Sequence, residues 1–139
     1  VKWAVRKADA TVLMEEKQWV EVPALSAVWM DKVELPQIDC FNEYVSYEAW
    51  ENDQIISQGT VIFSYPKYFR YLNPGLTVRV DGDEIVVKAE AYAKSVEIRN
   101  ANDDLILEDN YFDMNAGEHR VKILDGKPDG LTVRSVYDI

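Results

Sequence analysis

Apolar and polar residues alternate with a period of two along most of the chain, and this pattern constrains the fold more than any other feature. Leu76, Val78 and Val80 alternate with polar neighbours, and the alternation resumes over residues 85–94 after an Asp-Gly-Asp turn at 81–83. A period of two places successive side chains on opposite faces of a strand. The second half of the sequence therefore predicts half-buried β-strands joined by hairpin turns.

The same reasoning extends to the whole chain and predicts about nine or ten short strands without a helix. Residues 40–50 also show helical spacing in Phe41, Tyr44 and Tyr47, but their aromatic and β-branched content favours a strand. Frequent turn signals between short strands are typical of antiparallel sandwiches and barrels. The predicted strands are 1–6, 12–22, 26–33, 44–50, 55–65, 76–81, 85–94, 96–99, 120–123 and 131–137.

Proline and glycine divide these strands into two blocks. Pro66 ends the first block, and the Asn-Pro-Gly turn at 73–75 precedes the second. We therefore predict two all-β units, residues 1–66 and residues 67–139. Four to five strands per unit is fewer than the roughly seven of a closed sandwich, so the first unit is expected to lack a strand.

The charge of the chain limits its partners. It has 25 acidic and 15 basic residues, and its net charge of −10 is spread over both halves. An acidic surface argues against a nucleic-acid partner, because binding phosphates requires clustered Lys and Arg. No stretch approaches the roughly 20 apolar residues that span a bilayer, so no membrane partner is expected.

Paired carboxylates are the first candidates for chemistry, because a glycosidase uses two carboxyl groups about 5–9.5 Å apart. In a chain this acidic such pairs arise by chance, so a solvated surface is the preferred interpretation. Two acidic turns, 81–84 and 102–104, could supply oxygen ligands for calcium, but they lack the ligand spacing of an EF-hand. The pairs are Glu15 and Glu16, Asp81 and Asp83, Asp103 and Asp104, and Glu108 and Asp109.

The single cysteine and the single histidine exclude an intrachain disulfide framework, a multi-cysteine zinc site and a paired-histidine metal motif. Cys40 is expected to be a small buried hydrophobe. His119 is expected to lie at the surface or at a strand edge. No serine has the context of a nucleophile elbow. We therefore predict no catalytic residue, no cofactor and no metal.

The aromatic residues allow two interpretations. All four tryptophans lie within the first 50 positions, and four more aromatic residues follow shortly after. Exposed rings on a sandwich can stack on sugars, whereas large aromatics more often fill a core or an interface, and the second interpretation is preferred. The residues are Trp3, Trp19, Trp29, Trp50, Tyr65, Tyr68, Phe69 and Tyr71.

The most specific stretch of the sequence is EDNYFDMNAGEHRV, residues 108–121. It resembles a segment in the last domain of β-mannosidases of glycoside hydrolase family 2, although Ala116 stands where that family usually has proline. FSYPKY at 63–68 resembles the junction between the last two domains of the family. Residues 3–13, followed by VEVPALS at 20–26, are similar to the penultimate domain.

This resemblance implies two immunoglobulin-like sandwiches, the first lacking a strand that precedes Val1. It implies a parent enzyme that hydrolyses terminal, non-reducing β-D-mannose residues with two glutamates on an upstream (β/α)8 barrel. A barrel of about 250 residues does not fit in this chain, which is therefore expected to be a non-catalytic C-terminal piece that supports the barrel. For a bacterial parent, a periplasmic or extracellular location is favoured. The alternative is a carbohydrate-binding module acting through surface tryptophans.

Two structural expectations follow. Phe112 should lie in the core of the second unit with Val87, Ile98, Val121 and Val133. A sheet that lacks a strand has an open edge of unpaired backbone groups, which favours association with another copy. We place that edge at residues 1–6.

Overall fold

The computed structural model describes residues 1–35 and 37–139, and within them the chain is all-β. Eleven antiparallel strands and two single-turn 3-10 helices, at Pro66–Tyr68 and Val136–Asp138, are present in this part of the chain. The strands are β1 (Lys2–Lys7), β2 (Val12–Lys17), β3 (Glu43–Glu51), β4 (Gln54–Ile62), β5 (Thr77–Asp81), β6 (Glu84–Ala89), β7 (Ala93–Arg99), β8 (Ile106–Leu107), β9 (Phe112–Met114), β10 (Gly117–Asp125) and β11 (Thr132–Arg134).

The first four strands form one sheet in the order β2-β1-β3-β4, which we call the first sheet. A two-residue turn at Asn52 and Asp53 joins β3 to β4, and both residues have positive φ, 48° and 63°. This left-handed pair matches the twist of a tight hairpin, and Asn and Asp tolerate it better than most residues. Residues 44–50 are thus a strand, as their composition predicts.

The remaining seven strands form two facing sheets, β5-β6-β10-β8 and β11-β7-β9, which we call the sandwich. Four strands packed on three is the arrangement of an immunoglobulin constant-type fold. Its core takes residues from both sheets, among them Val87, Ile98 and Val121, with Val133 packed against it. Phe112 lies in this core and is 8% exposed, which confirms its expected position. The buried core residues are Ile85, Val87, Ala89, Ala93, Val96, Ile98, Phe112, Met114 and Val121.

An aromatic cluster joins the first sheet to the sandwich, and we call it the junction cluster. The ring of Tyr44 on β3 stacks on the ring of Tyr92, which precedes β7, with centroids 3.8 Å apart and planes 15° apart. Phe69 in the linker meets both rings edge-on. These three rings are buried, and they contact three smaller or partly buried members. The cluster comprises Ala8, Tyr44, Ile62, Phe69, Tyr71 and Tyr92.

Residues 18–35 differ from the prediction. The expected strand 12–22 ends at Lys17, and the expected strand 26–33 is absent. Alternating apolar and polar residues favour a strand, but a strand also needs a neighbouring strand that accepts its backbone hydrogen bonds. In the described chain no strand pairs with residues 18–35.

The long predicted strand 85–94 is interrupted. Its backbone leaves the sheet at residues 90–92 to bond with distant segments: the Glu90 N–H donates to the Pro74 carbonyl at 2.7 Å, and the Tyr92 N–H to the Ala8 carbonyl at 3.1 Å. Strand β7 then begins at Ala93. Strands β8 and β9 have two and three residues, too few for a periodic pattern, and sequence reasoning did not predict them as separate strands.

The expectation that residues 1–6 form an open edge of the sheet is wrong. β1 lies between β2 and β3, so residues 2–7 are in the interior of the first sheet. A tight turn at residues 8–11 folds β2 back onto β1 and covers the edge that we expected to be open. The outer strands of the first sheet are β2 and β4.

Phe112→Ala should lower the free energy of unfolding of the sandwich by roughly 3–5 kcal/mol, because the change leaves a cavity in a packed core. Urea unfolding measures this loss. Phe63→Ala is the matched control, since Phe63 is exposed and its truncation should cost less than about 1 kcal/mol. A loss below about 1 kcal/mol for Phe112→Ala would contradict the core assignment.

The junction cluster should make the chain sensitive to alkali. Burial raises the pKa of Tyr44 and Tyr92 far above the ordinary value of 10.0, and it raises the pKa of Tyr71 to about 12. An unfolded tyrosine ionises near pH 10 while the buried ones stay neutral, so stability is complete below pH 10 and falls as the pH rises further. Tyrosinate absorbance and circular dichroism, followed together, should show these rings ionising only as structure is lost. Ionisation of all eight tyrosines in a chain with native dichroism would refute this.

Candidate interaction surfaces

The first sheet has two different faces. Pairing places Val5 of β1 opposite Met14 and Val45, and Val61 opposite Val45, so that these side chains share one face. We call this the outer face, and it comprises Trp3, Val5, Met14, Val45, Tyr47 and Val61. The opposite face carries Tyr44, Ser46 and Thr60 and lies against the sandwich, as the Tyr44 stack on Tyr92 shows.

The outer face is only partly covered. Trp3 and Val5 are buried, but Met14, Tyr47 and Val61 are exposed. The ring of Tyr47 lies across Gly59 on β4, where a Cβ would come within 2.6 Å of the Tyr47 hydroxyl oxygen. Residues 31–34 pass beside Trp3 and leave a cleft of about 500 Å³ between themselves and the sheet. A large part of an apolar sheet face therefore meets solvent.

The segment 18–35 adds to this apolar surface. Trp19 and Trp29 are 94% and 98% exposed, and Leu25 is also fully exposed. Most of the exposed large hydrophobic residues of the described chain lie before residue 73. Extended apolar surface of this kind marks an interaction site more often than an ordinary solvated surface.

The tryptophans occupy three different settings. Trp3 is buried on the outer face, Trp19 and Trp29 stand on the irregular segment, and Trp50 lies near the hairpin end of β3. The indole N–H of Trp50 donates to a Glu48 carboxylate oxygen at 2.9 Å.

The later aromatic residues also divide into two groups. Tyr65 and Tyr68 pack edge-on against each other and are exposed. Phe69 and Tyr71 belong to the junction cluster, which is the interface role that we preferred for the aromatic residues.

Polar bonds surround the junction cluster, and Asp113 is their centre. Thr60 on β4 donates its hydroxyl proton to Asp113 and accepts a hydrogen bond of 2.6 Å from the Tyr92 hydroxyl. Asp113 also accepts from Lys94 Nζ at 2.8 Å and from the Ser95 backbone N–H at 2.8 Å. The two parts of the chain thus share one largely buried carboxylate.

A second hydroxyl joins the two parts. The Tyr44 hydroxyl donates to the Asn115 side-chain oxygen at 2.6 Å, across 71 positions of sequence. Sequence reasoning did not find these roles for Thr60, Asp113 and Asn115, because no local pattern relates residues so far apart.

The DNYFD stretch, residues 109–113, has a structural role at four successive positions. The Asn110 side chain bonds to both the N–H and the carbonyl of Ile98, at 2.9 and 3.0 Å, as a neighbouring strand would. Tyr111 has a left-handed backbone, φ 64°, and its hydroxyl donates to Glu97 at 2.8 Å. Phe112 then enters the core, and Asp113 reaches the junction. The residue types of this stretch are therefore explained by packing where the chain passes from β8 in one sheet to β9 in the other.

A shallow cavity of about 460 Å³ lies beside the exposed ring of Tyr111. Each polar side chain that lines it already has a partner within the chain. Arg99 pairs with Asp103, Asn100 with Asp104, and Glu97 with Tyr111 and Arg134.

Four of the eight candidate carboxylates, those of Glu15, Asp81, Asp83 and Asp103, lie within 4 Å of a basic side chain. Arg120 bonds to Asp81 at 3.0 Å and to Glu84 at 2.8 Å, and its hydrogen bond and charge lower the pKa of Asp81. Arg99 lowers the pKa of Asp103 in the same way. Among residues 1–35 and 37–139, no group of three or more His, Cys, Asp or Glu side chains is arranged to hold a metal ion. The acidic turn 81–84 is an ion-pair network.

The single histidine and the single cysteine are both half-buried. His119 lies on β10 and pairs with Val87 of β6, whereas β8 pairs with β10 only at Ile123 and Asp125. Its ring stacks on Phe112 at 4.1 Å, and burial lowers its pKa. His119 is half-buried rather than openly at the surface, and its pairing with β6 alone agrees with the expected position at a strand edge. Cys40 is a free thiol and only half-buried, less than its expected burial.

Comparison with known proteins agrees with the fold. In the described part of the chain, neither helix has the length and apolarity needed to cross a membrane. Among curated protein sequences, none matches the chain significantly. A family model for a mannosidase Ig/CBM-like domain matches residues 1–68, and a model for an Ig-fold domain, Ig_mannosidase, matches residues 71–139. Only residues 69 and 70 lie outside both matches, and the chain therefore belongs to the immunoglobulin-like domains of mannosidases.

Proposed function

We propose that the chain is the non-catalytic C-terminal region of a β-mannosidase-like glycoside hydrolase of family 2, and that it supports the catalytic barrel. The parent enzyme would hydrolyse terminal, non-reducing β-D-mannose residues. The observation that carries this proposal is the uneven distribution of apolar surface. The sandwich encloses its core between two sheets, whereas the outer face and residues 18–35 leave large apolar side chains in solvent.

Surface of this kind is stabilised by contact with another apolar surface, at roughly 25 cal/mol per Å² removed from water. In the parent enzyme that contact would come from the rest of the polypeptide, including the barrel. A rigid support matters to a glycosidase, because a displacement of about 1 Å at the reacting groups can cost about a hundredfold in rate. The ion-paired carboxylates of the sandwich agree with this structural role.

A matched pair of substitutions tests the support role in the parent enzyme. Val61 on the outer face and Val80 on β5 are both valines in strands, 43% and 44% exposed. Val61→Asp should lower the inactivation temperature of the parent enzyme by several degrees, because it places a charge in a buried contact. Val80→Asp should change it little. In the isolated chain both variants should be equally stable.

Two results would contradict the proposal. One is equal behaviour of Val61→Asp and Val80→Asp in the parent enzyme. The other is a native start codon directly before Val1, behind an in-frame stop, in place of an open frame that encodes a barrel.

A second function, carbohydrate binding, is favoured by the nearly complete exposure of Trp19 and Trp29. Flat indole rings that are exposed to solvent can stack on sugar rings. Affinity electrophoresis on mannan, glucomannan and chitosan should then show retardation that is lost in Trp19→Ala and Trp29→Ala. Tyr65→Ala, which removes another exposed aromatic ring, should leave it intact. Absence of retardation on every polysaccharide would reject this function.

A further inference from the structure

We propose that the first sheet keeps its fold only while it is docked on the sandwich, so that the chain unfolds in two steps and the first sheet opens first. The sandwich folds independently and supports the first sheet. The hydrogen bond between Thr60 and Asp113 stabilises the docked state.

The two parts bury unequal cores. The sandwich has nine buried apolar residues between two facing sheets. The first sheet is a single layer in which β2 is exposed at all six positions and β4 is exposed from residue 54 to residue 58. Sheets need a second layer on an apolar face for independent stability. Within the described chain the sandwich supplies that layer for one face of the first sheet.

The hydrogen bonds at the junction also show that the first sheet depends on the sandwich more than the sandwich depends on the first sheet. Asp113 has two partners inside the sandwich, Lys94 and Ser95, so the acceptor stays organised without the first sheet. Among the residues that the structure describes, the Thr60 side-chain hydroxyl bonds only to Asp113 and Tyr92, which both belong to the sandwich. The Tyr44 hydroxyl likewise donates to Asn115 of the sandwich. The buried side-chain hydroxyls of Tyr44 and Thr60 on the first sheet depend on partners in the sandwich. Asp113 of the sandwich keeps two hydrogen-bond partners when the first sheet is absent.

Backbone contacts point the same way. The Tyr92 N–H donates to the Ala8 carbonyl in the turn between β1 and β2, and the Arg70 N–H donates to the Phe41 carbonyl just before β3. These bonds attach two loops of the first sheet to the linker and the sandwich. When the first sheet leaves the sandwich, the Ala8–Tyr92 bond breaks together with the Tyr44–Tyr92 stack.

Thr60→Val tests this dependence, because valine keeps the shape of threonine and removes its hydroxyl. In the docked state Asp113 and Tyr92 then each lose a buried partner, whereas in the undocked state water replaces it. Docking should weaken roughly tenfold, as expected for a lost hydrogen bond to a charged group. The folded sandwich itself loses nothing.

The tryptophans allow each part to be followed separately in the full chain. All four lie within the first 50 residues, and Trp3 is buried on the first sheet, so tryptophan fluorescence reports the first sheet. Methyl NMR signals of Ile85 and Val121 report the sandwich core. In urea, the fluorescence transition should come before the methyl transition. Thr60→Val should move the fluorescence midpoint to lower urea and leave the methyl midpoint in place.

Two further variants complete the test. Val121→Ala, in the sandwich core, should move the Ile85 methyl midpoint and leave the fluorescence midpoint in place while the two remain separate. If it unfolds the sandwich outright, the native fluorescence must disappear as well. Thr77→Val repeats the Thr60 change at an exposed position of β5 and should move neither midpoint.

The proposal is overturned by coincident transitions in the wild-type chain, which would show one cooperative unit. It is also overturned if Thr60→Val moves both midpoints or neither. Native fluorescence that persists over an unfolded sandwich would equally refute it.

Discussion

The stack of Tyr44 on Tyr92 is the contact on which the arrangement of the two parts depends. Its rings exclude water from the space between the first sheet and the sandwich, and the hydroxyls of Tyr44, Thr60 and Tyr92 find partners only at its margin. A buried hydroxyl without a partner costs about 1–3 kcal/mol, so the polar margin fixes the geometry that the aromatic stack makes favourable. Apolar burial provides the attraction and the hydrogen bonds select one orientation.

A single carboxylate connects this junction to the interior of the sandwich. Asp113 is one residue away from Phe112, and in an extended segment neighbouring side chains face opposite sides. The strand that packs the core therefore also presents the junction acceptor, and Ser95, held by Asp113 with φ 51°, adapts β7 to it. The three-residue strand β9 thus packs the core with one face and contributes to docking with the other.

Sequence reasoning predicts what depends on local pattern. Alternation and turn residues locate most of the strands, and Phe112 lies in the core with Val87, Ile98 and Val121, as expected. Residues 26–33 have the pattern of a strand but lack a neighbour, and the break at residues 90–92 is imposed by the distant carbonyls of Ala8 and Pro74. The roles of Thr60, Asp113 and Asn115 depend on contacts over more than 50 positions, which no local pattern records.

The ion pairs of the sandwich also shape the electric field of the chain. Arg79, Arg99, Arg120 and Arg134 each lie against a carboxylate, so few guanidinium groups are left to attract an anion. With a net charge of −10, the surface repels polyanions such as uronic-acid or sulfated polysaccharides. Neutral hexose polymers approach it without that penalty. A polymer of unmodified mannose is of this neutral kind, so the charge of the chain does not oppose its approach.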